Sequence, residues 1–315
     1  MEIGGYIEFP QFTGSLLHDD AIALNSARNC LAYLIETREI AKIVLPKFLC
    51  ASVEQTCQKY NLKIRNYSIG CDFLPRELQL EDNEWLYLVN YYGQIENKLI
   101  EKIKRNHDKL IVDNVQAYFQ EPVDNVDTIY TCRKYFGIPD GAFLYTKSRI
   151  SRKLEQDKSA GRMVHLLGRY ENTASEYYSA YTDHENTFEN LPLRKMSKLT
   201  DNLLRGIDYS QVKAARESNY LYLNKEFTSI NKLELKAPTG PFMYPLYVSN
   251  GRNIRKQLQK KCIYIPILWH DVFDVCDKTE TEYDMAENIL PLPCDQRYTL
   301  DNMRHIRMEV YRCIS

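Results

Sequence analysis

Three short stretches of this chain carry residue types that can do covalent or acid–base chemistry. The first is Tyr130-Thr131-Cys132-Arg133-Lys134-Tyr135-Phe136-Gly137-Ile138-Pro139. Here a lysine follows a short apolar run, has aromatic neighbours and precedes a Gly/Pro turn. A lysine held among apolar groups and beside a second cation such as Arg133 has its amine driven toward the neutral form, which an imine-forming nucleophile needs. The second is Leu110-Ile111-Val112-Asp113-Asn114-Val115-Gln116, an apolar strand running straight into an aspartate, with Gln116 three residues on. The third is Asn25-Ser26-Ala27-Arg28-Asn29, small polar residues at the start of a predicted helix, where free backbone amides and the helix dipole favour a phosphate. Taken singly, each has a plainer reading. Lys134 is then a surface lysine in a turn, Asp113 a turn former or helix cap, and Ser26 an ordinary N-cap.

The elements around these stretches decide what they can do together. From Ala27 the positions Ala27, Cys30, Leu31, Leu34 and Ile35 fall at helical spacing, with Asn25 or Ser26 where a cap belongs. Then strand and helix patterns alternate: a strand at 42–45 closed by Pro46, a helix at 51–60, a strand at 62–67, a strand at 85–89, a helix at 98–105 and a strand at 109–112. Two further strands are expected at 128–132 and 141–146. Such alternation implies an α/β domain, its mostly parallel sheet covered by helices on both faces. In such a sheet the carboxyl ends of the strands open onto the ligand crevice, so Asp113 points at whatever binds there.

From 148 to about 227 the strand pattern vanishes, and long helices bridging two domains are expected. Beyond Pro238-Thr239-Gly240-Pro241 strands are expected at 244–248, 263–267 and 288–292, with helices at 253–260 and 300–312. These form a smaller α+β domain over 231–315, after a large domain over 1–230.

Pyridoxal phosphate asks for a lysine to form an imine, an acid to keep the pyridine nitrogen protonated, and an anion cradle. The chain offers one candidate for each, all at strand–helix junctions of one domain. At this point the sequence resembles the DegT/DnrJ/StrS-type sugar aminotransferases, a family of fold type I pyridoxal phosphate enzymes. The likeness runs through Ile3-Gly4-Gly5, Leu24 to Arg28, Asn90-Tyr91-Tyr92-Gly93, Asp113 to Ala117, Lys134 ahead of Gly137, Tyr244 to Val248 and Leu290 to Cys294.

The resemblance implies a homodimer with the cofactor on Lys134, Asp113 on the pyridine nitrogen and Gln116 near the phenolic oxygen. Ser26, Ala27, Arg28 and Thr131 would hold the phosphate. It also implies transfer of an amino group from glutamate to a nucleotide-linked keto sugar, in surface-polysaccharide or related biosynthesis, with Lys134 serving again as general acid and base. The sequence departs from the family where many relatives stack an aromatic on the cofactor ring. That place holds Cys50, with Phe48 nearby and Tyr92 as another candidate stacker. No asparagine stands in the 191–196 stretch where the family's second subunit commonly contributes one, which leaves Asn186 and Asn190 as stand-ins.

The competing readings are a dehydratase branch of the same family, which carries histidine where Lys134 stands, a binding or regulatory protein that keeps the fold, and a generic α/β protein. Composition narrows the partners. With 41 basic against 42 acidic residues, the chain lacks the clustered positive charge that nucleic acid demands. The nine cysteines have neither a C-x-x-C pair nor zinc-ligand spacing, so they read as reduced, mostly buried thiols, and no metal is expected. Met1 to Tyr6 lacks the basic and apolar parts of a signal peptide, and no apolar run approaches a membrane span. The cytoplasm is the expected compartment.

Overall fold

The fold was analysed in a computed structural model that describes residues 3–314. Met1 and Glu2, part of the stretch read for a signal peptide, lie outside the described residues.

Among the described residues, eleven α-helices and ten strands follow one another along the chain. The amino-terminal part comprises β1 (Ile22–Leu24), α1 (Ala27–Arg38), β2 (Lys42–Pro46), α2 (Ala51–Lys59), β3 (Lys63–Ile69), β4 (Pro75–Arg76), β5 (Glu84–Val89), α3 (Asn97–Asn106), β6 (Leu110–Asp113), β7 (Asp127–Thr131) and β8 (Ala142–Tyr145). Its eight strands form one sheet in the order β1-β8-β7-β6-β5-β2-β3-β4. The central strands β3, β2, β5, β6 and β7 pair in parallel, and β8 lies antiparallel between β7 and β1. Strand order reverses between β2 and β5, and at such a switch point the carboxyl ends splay to leave a crevice. Ile43, Val44, Leu45, Leu86, Leu88, Ile111, Val112 and Ile129 are all buried, as expected of parallel strands covered on both faces. Helix α1 packs on β7 and β8.

The stretch from 148 to 227 differs from the expected run of long helices. It holds α4 (Val164–Glu171), α5 (Tyr178–Thr187) and α6 (Lys198–Leu204), all short, before the 19-residue α7 (Tyr209–Phe227). Only α7 keeps an unbroken buried stripe, Arg216, Asn219, Tyr220, Leu223 and Phe227. The carboxyl-terminal part follows with β9 (Tyr244–Tyr247), α8 (Gly251–Lys260), α9 (Val272–Val275), α10 (Thr281–Asn288), β10 (Ile289–Leu292) and α11 (Leu300–Ile314). Strands β9 and β10 pair antiparallel, and a second apolar cluster gathers them with α7, α8 and α11. No strand forms at 263–267. Pro266 removes a ladder donor there, Tyr264 stays exposed, and only Ile265 is buried. No helix among the described residues is long and apolar enough to cross a membrane. All nine cysteines are free, and five of them are buried.

Behind the sheet, His18 is enclosed by the rings of Tyr118, Tyr130, Phe143 and Tyr145, and its Nε2 donates to the Tyr118 carbonyl at 2.9 Å. Burial lowers its pKa to about 4, so the ring is held neutral. A group whose pKa is depressed by folding gives stability that is present above its unfolded pKa and lost as pH falls through the folded one. For His18 that loss starts near pH 6.5 and runs to about pH 4, and amounts to on the order of 3 kcal/mol. Replacing His18 with glutamine should therefore flatten the fall of Tm between those pH values, measured by thermal melts across the range.

Candidate functional site

Asp113 ends β6 and Lys134 follows β7, the adjacent parallel strand. Within β5 and β6 the register sets Val89 opposite Asp113, and the Asn90 amide donates to the Asp113 carbonyl at 3.0 Å, so the turns after both strands start level. Side chains then lock these turns. Asn90 Nδ2 donates to Asn114 Oδ1 at 3.0 Å and to Gln120 Oε1 at 2.9 Å, and Asn114 Nδ2 donates to the Tyr130 hydroxyl at 3.1 Å.

The Asp113 carboxyl is 4% exposed and receives the Val115 amide at 2.9 Å and the Tyr87 hydroxyl at 2.8 Å. Tyr87 is itself held in place, since its carbonyl accepts from the Tyr67 hydroxyl at 2.9 Å. Burial raises the Asp113 pKa above the ordinary carboxyl value, against the pull of Lys134, Val115 and Tyr87. Lys134 shows the mirror effect. Burial lowers the pKa of its amine, opposed by the charges of Asp113 and Cys50, while Arg133 lowers it further. Its side chain nonetheless is exposed, at the strand ends where a parallel sheet opens its crevice. Among the described residues the amine makes no hydrogen bond or close ion pair, and the Phe242 ring centroid lies 5.6 Å from Nζ. Both groups are therefore biased toward their neutral forms, and each lacks a full counter-charge.

The predicted anion cradle lies on the other side of the lysine loop. Ser26 caps α1 with extended backbone, its Oγ accepting the Asn29 amide at 3.2 Å. The amides of Ala27 and Arg28, in the first turn, have no intrahelical acceptor. Leu24 and Thr131 both pair with Ala142, one from each side, so β8 sets the helix start and the lysine loop side by side. Gly141 completes the link: its amide donates to the Asn25 carbonyl at 3.0 Å, and its carbonyl accepts the Cys132 amide at 3.2 Å. Its φ of +115° and the 2.9 Å that would separate a Cβ from Thr200 explain a glycine here. Thr131 Oγ1 reaches the Gly141 carbonyl only at 3.5 Å. Arg28 is half-buried and lies within electrostatic reach of Arg133, whose guanidinium pairs with Glu185 and sits 3.8 Å above the Phe188 ring.

The remaining predicted residues have different surroundings. Gln116 is buried, its Oε1 accepting the Tyr92 amide at 2.8 Å, and its NH₂ end makes no hydrogen bond with the described residues. Tyr92 sits in left-handed backbone with φ 52°, its ring wholly buried against Phe73 and Trp269. It meets the cleft through its backbone rather than its ring. Phe48 is buried against Tyr91 and Trp269. Cys50, exposed at the N-cap of α2, is the side chain of that segment that lies near Lys134. Asn190 is near Lys59, its Oδ1 3.4 Å from Nζ.

Two neighbours of the lysine went unread in the sequence, Phe242 and Arg216. Arg216 is 1% exposed, and its signal was its place on the α7 stripe with Asn219, Tyr220 and Leu223, where a solvated arginine has no reason to be.

No protein-family model and no curated protein matches this chain by sequence. Solved structures do match it in shape. They include a DegT DnrJ EryC1 StrS aminotransferase from Brucella abortus, 15% identical with a TM-score of 0.61 over 92% of this chain and 85% of that one. DesV from S. venezuelae, in complex with a ketimine intermediate, is 13% identical with a TM-score of 0.65 over 93% and 85%. NtdA from Bacillus subtilis, with bound cofactor PMP, is 12% identical with a TM-score of 0.67 over 93% and 73%. The class defined here is a fold, that of the fold type I aminotransferases, with a lysine and an aspartate at the ends of its central strands.

Because the Asp113 charge favours the ammonium form of Lys134, Asp113→Asn should move the Lys134 titration to lower pH. Acetylation of Lys134, followed by peptide mass spectrometry against pH, should show a several-fold faster reaction below the wild-type midpoint. An unchanged midpoint would separate the two groups.

Proposed function

We propose that this chain is a pyridoxal phosphate-dependent aminotransferase of the DegT/DnrJ/StrS type, moving an amino group from glutamate to a nucleotide-linked keto sugar. The observation that carries the proposal is the electrostatic coupling of Asp113 and Lys134 at the carboxyl ends of the adjacent parallel strands β6 and β7. The proposed parts are a cofactor-binding domain through about 230 and a smaller one over 231–315, working in the cytoplasm as a homodimer.

The residues present fit the cofactor. Asp113, a buried carboxyl with a raised pKa, is an acid short of a cation, and a protonated pyridine nitrogen would supply it. Lys134 offers an amine that is free of hydrogen bonds and inclined to be neutral. The unpaired NH₂ end of Gln116 suits the phenolic oxygen. The first-turn amides at Ala27 and Arg28, with Ser26, Thr131 and the Arg28 charge, suit the phosphate.

When bound, pyridoxal phosphate supplies a carbonyl for the imine and a ring that takes up the electrons of a broken C–H bond. Asp113 would hold the proton at the pyridine nitrogen. Lys134 Nζ would serve as the base that takes a proton from the amino acid's α-carbon and as the acid that returns one, a role its lowered basicity favours. Tyr87 and Val115 keep the Asp113 carboxyl oriented.

The sugar reading is supported by the neighbours in shape, such as the sugar aminotransferase CalS13 from Micromonospora echinospora, 14% identical with a TM-score of 0.62 over 93% of this chain and 87% of that one. The dimer reading is supported by exposed apolar surface: Ile3, Tyr6, Ile7 and Phe9 near the amino end, and Val164, Leu167, Tyr170 and Tyr178 on or beside α4 and α5. A second reading, a protein that holds the cofactor without turning it over, is favoured by one observation. Neither Phe48 nor Tyr92 presents a ring to the cleft, and Cys50 stands there instead.

Purified protein supplied with pyridoxal phosphate should be yellow, and its absorbance should shift when glutamate is added. Colour without response to any amino donor would favour the second reading, and a protein that cannot be loaded would overturn both. Lys134→Ala should fold yet retain no cofactor after borohydride reduction and denaturation, read by mass spectrometry. Sedimentation velocity should give a dimer.

A further inference from the structure

Arg216 has no carboxylate within ion-pairing distance among the described residues, although its guanidinium is nearly sealed from water. A buried cation in that state is costly unless its donors are satisfied. They are satisfied in a specific way. Nη1 donates to the carbonyls of Pro241 at 2.8 Å and Phe242 at 3.2 Å, Nη2 to the carbonyl of Tyr135 at 3.2 Å, and Nε to Gln296 Oε1 at 2.7 Å. Gln296 Nε2 donates to the same Tyr135 carbonyl at 2.8 Å, and the Tyr135 ring lies 4.4 Å from the guanidinium carbon. Asp295, the nearest acid, is taken by Arg297 at 2.6 and 2.8 Å.

One side chain thus ties the residue after Lys134 to the segment bearing Phe242, the ring that the Lys134 amine faces. We propose that Arg216, assisted by Gln296, is the positioning residue for Lys134: it clamps the lysine loop against the segment bearing Phe242 and so fixes where the amine stands. The proposal rests on the reading of Lys134 as the reactive lysine. The clamp spans four parts of the chain, since Arg216 comes from α7, Tyr135 follows β7, Pro241 and Phe242 precede β9, and Gln296 follows β10. Only a fork of planar donors can reach carbonyls on two segments at once, so lysine cannot stand in for it.

Loosening the clamp lets the amine move away from the protein packed around it, hydrates it more fully and makes it more basic. The test is the pH profile of Lys134 acetylation in the full chain without cofactor, read by peptide mass spectrometry, for wild type, Arg216→Lys and Gln296→Ala. The profile should move to higher pH in both variants, and more in Arg216→Lys, with acetylation at neutral pH slowed about threefold or more. Arg297→Gln, which breaks a neighbouring pair outside the clamp, should leave it in place. If Arg216→Lys folds and keeps the wild-type profile, the proposal is overturned. If it does not fold, the Gln296→Ala profile decides in the same way. A wild-type chain that takes up no pyridoxal phosphate would defeat the proposed function without touching this measurement, which needs no cofactor.

Discussion

A buried carboxyl set beside an amine must share its charge with it, and the rest of this site follows from that constraint. Burial alone would neutralise both Asp113 and Lys134, while their mutual attraction pulls each back toward its ion. A cation at Asp113 and an electrophile at Lys134 would relieve the two groups separately. The proposed cofactor, with a positive ring nitrogen at one end and a carbonyl at the other, would do both. The two donors on Asp113, the Tyr87 hydroxyl and the Val115 amide, leave the carboxyl ionisable despite its burial.

The sheet makes this arrangement affordable to hold. Parallel neighbours end on the same side, so residues at the ends of β6 and β7 need no long loop to meet. The cradle depends on the antiparallel strand β8, which borrows β1 to bring the start of α1 beside Thr131. Gly141 sits at the joint, bonded to Asn25 on one side and Cys132 on the other. The lysine loop is thus fixed from below by the sheet and from above by Arg216, Gln296 and the 241–242 segment.

Much of this was legible in the residues. Helix α1 and strands β2, β3, β5, β6 and β7 lie where apolar runs and caps put them, because buried parallel strands leave little room for ambiguous patterns. Strand β1 escaped notice, as three residues are too few to show a period. The run at 263–267 is apolar enough to suggest a strand, but Pro266 and the lack of a third partner in the β9–β10 sheet decide against it. Asp113, Lys134 and Ser26 were visible because their chemistry sits at element ends. Arg216 and Phe242 were not, since what matters about them is which distant carbonyls and amine they face, and spacing along the chain does not encode that.

Cys50 shifts the balance of forces in the cleft. An aromatic ring laid on a bound ring contributes about 0.5–1.5 kcal/mol beyond its burial, and neither Phe48 nor Tyr92, both fully buried, can supply it. A thiol in its place contacts less surface and fixes orientation less firmly. Under the proposed function, affinity would then come from the two ends of the cofactor, the Asp113 carboxyl at one and the α1 amides with Arg28 at the other. Arg133 lies close enough to Arg28 to strengthen the positive field there, while its own pairing with Glu185 and Phe188 keeps it from collapsing into the cradle. A site held at its ends rather than across its face places a larger share of the work on rigid backbone, and that is where the clamp on the lysine loop has its effect.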